Sequence, residues 1–199
     1  MNREGRMKKI YPQSQIVAAA HAATRSTSYR CALLGAAICI LVPFSRAQQI
    51  PTTQAKAIDG SSVGFPDAAN GKPLLLVIGF SHQSSDPCRA WDKRLSPLYL
   101  NSSRILYYQA ADLQGVPSLI TKMILHGMRK EIPANEHSRF ILLQANENEW
   151  KSVAKFSAPY EPYILLANPA GHIVWQTHGA VTDEQFDALQ AAIRTQLHD

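Results

Sequence analysis

The stretch that most constrains this chain is Gly71 to Tyr99, GKPLLLVIGFSHQSSDPCRAWDKRLSPLY. It opens on a turn signal, Asn70-Gly71-Lys72-Pro73. The run that follows, Leu74 to Phe80, is apolar at every position. A short run apolar on both faces predicts a strand in the middle of a sheet. Ser81 to Pro87 is a polar turn, and beyond it Trp91, Leu95 and Leu98 recur at spacings of four and three, the period of a helix. Asp86-Pro87 reads as the start of that helix, with Asp as N-cap and Pro as first residue. Strand, turn and helix in this order predict an α/β fold. They also set Cys88 at a helix N-terminus, where free backbone N–H groups and the helix dipole stabilise an anion, including a thiolate.

What precedes this stretch reads differently. Residues 1–30 are basic, and Cys31 to Phe44 (CALLGAAICILVPF) is an apolar run of 14 residues, shorter than the roughly 20 needed to span a bilayer. Arg25 and Arg30 stand before the run, and Ser45-Arg46-Ala47 after it is a small-x-small cleavage pattern. Residues 1–47 are therefore expected to be a signal peptide, with an uncleaved membrane anchor as the alternative. This places the rest, residues 48–199, in the periplasm or outside the cell as one domain with a core from about 55 to 197. The first 47 residues hold seven of the 20 basic residues and one of the 15 acidic ones. The remainder carries 13 basic against 14 acidic, so the high isoelectric point gives no argument for nucleic-acid binding. Cys31 and Cys39 lie in the leader, and Cys88 is left as the one thiol of the domain, which raises the question of an intermolecular partner.

Along the domain, Gln48 to Ala57 reads as a loose lead-in. Arg104 to Ala110 is a second strand rich in Ile, Leu and Tyr. Pro117 to Ile132 is an amphipathic helix in which Leu119, Ile120, Met123, Ile124, Met128 and Ile132 recur at helical spacing. Its apolar face is expected to pack on the sheet; the other reading is a Met-containing docking face for an apolar partner. Phe140 to Leu143 is a short strand, and Asn146 to Lys155 is surface with a short helix or edge strand. Tyr163 to Ala167 is another strand, followed by the turn Asn168-Pro169-Ala170-Gly171 and a half-buried outer strand, His172 to Thr177. Thr182-Asp183-Glu184-Gln185 opens a last helix as a capping box, with Phe186, Leu189, Ile193 and Leu197 as its buried stripe. The sum is a central mixed sheet of four or five strands flanked by helices.

These motifs, in this order, resemble the thioredoxin-like superfamily, in particular its secreted members. Ile58-Asp59-Gly60, Val63 and Gly71-Lys72-Pro73 match the lead-in, and Phe80 to Cys88 lies over the redox turn. The resemblance implies that Ser85-Asp86-Pro87-Cys88 stands in place of Cys-Gly-Pro-Cys, so that Ser85 replaces the attacking cysteine. It also implies that Pro162, in Glu161-Pro162-Tyr163, is the cis-proline beside the redox turn. A peroxiredoxin register fits less well, because Ser81 is not the expected proline and Ala158 to Pro162 holds no arginine. Val116-Pro117-Ser118-Leu119, Gly127 to Pro133 and the late Ile173-Val174-Trp175 are similar to a narrower group. That group is the mitochondrial ATP synthase assembly factors acting on the membrane sector, of which this chain would be a bacterial relative. It implies a thioredoxin-like fold used to handle protein, with a polypeptide and even a membrane protein as client.

Dithiol exchange needs a second thiol to resolve the mixed disulfide, and Cys88 alone cannot supply it. Two functions follow as expectations. One is a non-catalytic binding protein, chaperone or assembly factor outside the cytoplasm. The other is a monothiol oxidoreductase or redox sensor, in which Cys88 forms a mixed disulfide and an external thiol resolves it. Free cysteines are among the most buried residue types, which favours an inert thiol. Serine catalysis by Ser85 with His82 lacks an orienting acid other than Asp86. The sequence contains no phosphate loop and no dinucleotide fingerprint, and His82 with Cys88 falls short of a closed metal site. No cofactor or metal is expected.

Overall fold

The computed structural model describes residues 48–198; the expected signal peptide, residues 1–47, lies outside that range. Seven strands alternate with four helices: β1 (Thr53–Ala57), β2 (Ser62–Phe65), β3 (Leu74–Gly79), α1 (Ser85–Tyr99), β4 (Leu106–Asp112), α2 (Ser118–Glu131), β5 (Phe140–Leu143), α3 (Glu147–Val153), β6 (Pro162–Ala167), β7 (Ile173–His178) and α4 (Asp183–His198). They form one mixed sheet in the order β2-β1-β5-β4-β3-β6-β7. All six residues of β3 are buried, as a strand with a parallel neighbour on one side (β4) and an antiparallel one on the other (β6) requires.

The pleat sends alternate side chains to two cores. On one face Leu75, Val77, Tyr107 and Ile164 meet Trp91 and Leu95 of α1 and Leu189 and Ile193 of α4. On the other, Leu76, Ile78, Tyr108 and Leu165 meet Phe65 and Trp150, and the indole N–H of Trp150 donates to Thr53 Oγ1 at 3.2 Å. α4 starts as its capping box predicts, with Gln185 N donating to Thr182 Oγ1 at 3.2 Å.

Four expectations are corrected. The sheet has seven strands, because the segment read as a loose lead-in pairs as a hairpin: Thr53 faces Phe65 and Lys56 faces Ser62, and β1 continues onto β5. α1 begins at Ser85, one residue before the expected cap, because a 3-10 turn from His82 to Ser84 runs directly into it. Ser81 caps that turn, its Oγ accepting from Gln83 N. Leu98 is 54% exposed and not part of the buried stripe that Trp91 and Leu95 form. The Glu161–Pro162 bond is not cis; among the described residues the cis bond is Phe65–Pro66. Pro162 instead opens β6 opposite Gly79, a strand-start position where its missing N–H breaks no ladder. Its carbonyl accepts from Gly179 N at 3.0 Å.

The bend before β6 is held by one side chain. The Tyr163 hydroxyl accepts from Ser157 N (2.8 Å) and Ala158 N (2.9 Å) and donates to Ala158 O (2.9 Å). Its ring packs with Phe80 and Phe156. Beside this cluster, at the end of β4, Asp112 meets Glu147, which is paired with Lys151. Burial pushes the Asp112 carboxyl up to about 6 and Glu147 adds to this, while the N–H of Gln114 and Lys151 pull the other way. A carboxyl whose folded pKa is raised stabilises the fold while protonated and loses that contribution as pH rises through about 6. Asp112→Asn should therefore raise the melting temperature at pH 7.5 and change it little at pH 4, measured by thermal denaturation at both. No helix among the described residues is long and apolar enough to cross a membrane.

Candidate binding groove between two helices

β3 ends on Gly79 at the mouth of a groove because the helix that follows crosses it closely. A Cβ on Gly79 would stand 2.6 Å from Ser84 Oγ and 3.2 Å from Cys88 Sγ. Ser84 is fully buried and its hydroxyl donates to Ser81 O at 2.8 Å, so it has no room to yield. The strand therefore needs glycine there, and the turn brings Ser85 and Cys88, one helical turn apart on α1, to one wall of the groove. The groove holds about 620 Å3. Its far wall is α2, through Ile124, Gly127 and Met128, and its inner end carries Asp92, Gln109 and Glu136. Pro162 is buried on the neighbouring strand β6, opposite Gly79, and does not line it.

Cys88 is half-buried with its Sγ close to the β3 backbone. Burial pushes its thiol up from the ordinary 9.0 to about 12, with a hydrogen bond to Ser84 acting the other way. The expected stabilisation of a thiolate by the helix start is outweighed by desolvation. The position explains this: Cys88 lies a full turn inside α1, with Ser85 ahead of it at the first position.

α2 departs from the core-packing expectation. The one residue it buries is Thr121, whose hydroxyl donates to Pro117 O within its own first turn. Leu119, Ile120 and Met123 are 71, 48 and 68% exposed. The helix is fastened by polar contacts: Arg129 Nε donates to Ile58 O at 2.7 Å, and Glu131 approaches Arg89 of α1 at 3.8 Å. The reading as a docking face is the one its exposure favours.

Asp92, Gln109 and Glu136 were not legible as site residues. Asp92 Oδ1 accepts from the Tyr107 hydroxyl and from Gln109 Nε2, each at 2.8 Å, and Ser96 Oγ donates to Glu136 at 3.2 Å. Burial holds the Asp92 carboxyl above its ordinary range; the Tyr107 hydrogen bond opposes this and the neighbouring Glu136 charge adds to it. The one signal in the sequence was a carboxylate four residues after Cys88, in the turn of α1 that also carries Trp91.

Several solved structures share this architecture. The exposed lipoprotein thioredoxin Etrx1 of Streptococcus pneumoniae superposes with a TM-score of 0.52 at 12% identity, over 71% of this chain and 97% of that one. A protein of Aquifex aeolicus assigned to electron transfer gives 0.56 at 12% identity, over 77% and 99%. One of Chlorobium tepidum assigned as a thiol:disulfide interchange protein of the DsbE type gives 0.50 at 16% identity, over 76% and 96%. At such identities the likeness establishes a thioredoxin-like fold. No curated protein matches the chain in sequence. The family model for the ATP10 protein covers residues 45–195, nearly all of the described chain and all the motifs, Val116 to Leu119, Gly127 to Pro133 and Ile173 to Trp175, on which the narrower resemblance rested. The chain belongs to the ATP10 protein family and carries it on a thioredoxin-like fold.

Proposed function

We propose that this protein is a non-catalytic assembly factor or chaperone of the ATP synthase membrane sector, acting outside the cytoplasm and holding a polypeptide client rather than exchanging disulfides. The carrying observation is the state of Cys88: the one thiol in residues 48–199, half-buried, and pushed by burial to about 12. At neutral pH such a group is a thiol, and the thiolate is the form that attacks a disulfide. Family membership supports a role in protein assembly, and the exposed apolar face of α2 beside an open groove supports polypeptide binding. The extracytoplasmic location rests on the leader pattern of residues 1–47.

A monothiol oxidoreductase is the second reading, favoured by the fact that Cys88 lines the groove. Ser85→Cys separates the two. The proposed function expects no disulfide reductase activity in that variant, measured by the turnover of a disulfide substrate with dithiothreitol as reductant. Activity created by this one change would mean that the surrounding site is still a redox site and that only the attacking thiol is missing.

A further inference from the structure

We propose that the groove between α1 and α2 binds an apolar polypeptide segment that carries a lysine or arginine, the cation seated against Asp92 and Glu136. This rests on the polypeptide-binding reading and names what the client must present. Two independent features of the groove converge on it.

The first is charge. Four carboxylates line the groove: Asp86, Asp92, Glu131 and Glu136. Arg89 engages Asp86 at 3.1 Å and Glu131 at 3.8 Å at the outer end. Asp92 and Glu136, at the inner end, have hydrogen bonds from Tyr107, Gln109 and Ser96 alone. Among the described residues no Lys, Arg or His lies within ion-pair distance of either. Asp92 is half-buried next to a like charge, and each condition raises the cost of its ionised form. A cation brought in by a partner offsets both through its attraction for the carboxylates. A neutral segment relieves neither, and an anion worsens them.

The second feature is the wall. Ile120, Ile124 and Met128 follow one another at four-residue spacing along α2, so they form a row roughly 12 Å long. Ile124 and Met128 line the groove, and Ile120 continues the row into solvent with Met123 beside it. Methionine adapts to varied apolar shapes. A row of this length suits about two helical turns of an apolar segment or a shorter extended one, and the carboxylates below it define where its cation falls.

The test uses the full chain with Met123→p-benzoylphenylalanine, an exposed position at the edge of the row, and three 12-residue peptides rich in Leu and Ala. The peptides differ at one central position, Lys, Gln or Glu. On irradiation the crosslink is expected to join the Lys peptide to α2. Its affinity should be roughly tenfold above the Gln peptide and further above the Glu peptide. The isosteric double variant Asp92→Asn with Glu136→Gln should keep the fold and bring the Lys and Gln peptides to within about twofold. Equal binding of the three peptides, or a Lys preference that survives the double variant, would overturn the assignment. So would crosslinks to residues 1–47 of the same chain or to a second copy, each of which would name a different occupant. A Lys peptide that binds tightly but protects a surface other than 118–132 from hydrogen exchange would overturn this groove while leaving the polypeptide-binding function standing. Reductase activity in Ser85→Cys would count against the non-catalytic reading of the site without touching the peptide result.

Discussion

Cys88 in the folded protein should react with iodoacetamide about a thousandfold more slowly than the same thiol in urea at pH 7.5. The rise of its pKa from 9.0 to about 12 lowers the thiolate fraction at neutral pH by about that factor. Restricted access adds to the effect, since Sγ is pressed between the β3 backbone and Ser84. The direction is fixed by desolvation, which the hydrogen bond to Ser84 opposes. Reaction should accelerate tenfold per pH unit up to the highest pH at which the fold persists, with no plateau between pH 7 and 9. A plateau there, or a folded rate close to the unfolded one, would mark a reactive thiol and favour the oxidoreductase reading.

Trp91→Ala should cost about 3–5 kcal/mol of stability, the range for removing a fully buried aromatic side chain. Trp91 is 0% exposed and packs in the core that joins α1 and α4 to the sheet. Its indole N–H also donates to Gly179 O at 2.9 Å, tying α1 to the turn between β7 and α4. The variant leaves a cavity and an unsatisfied carbonyl together. The melting temperature should fall by roughly 10 °C or more for a domain of this size. Because α1 also carries Cys88 and Asp92, peptide affinity should fall with it. A variant within about 1 kcal/mol of the parent in urea denaturation would contradict the packing described.

Much of this architecture was readable in advance. β3 is apolar at every position because it is central, and α4 announces itself through Thr182 and the Leu189–Ile193 stripe. These features are local, and local pattern reports them. The hairpin of β1 and β2 was hidden because Ala55, Lys56 and Ala57 are weak strand formers, and their pairing comes from partners such as Val63, Leu142 and Ile141. The face of α2 was misassigned for a related reason. A helix that closes a core and one that lines a groove carry the same period, and what decides is the surface opposite. Here that surface is the first turns of α1 across an open groove. Proline isomer is likewise set by tertiary context, and Pro162 serves to open β6. Ser85 and Cys88 were found because they follow the strand directly. Asp92 and Glu136 were missed because their partners are distant in the sequence, Tyr107 and Gln109 on β4 for Asp92 and Ser96 on α1 for Glu136.

The central claim is that this member of the ATP10 family works by holding a polypeptide and not through its thiol. It is tested most directly with Cys88→Ala in cells that depend on the protein, scoring the amount of assembled ATP synthase membrane sector on native gels. A melting curve of the purified variant checks that the fold is kept. The account predicts assembly equal to that with the wild-type chain, since alanine removes the sulfur and leaves the groove. Assembly reduced to the level of cells lacking the protein, in a variant that melts normally, would contradict it.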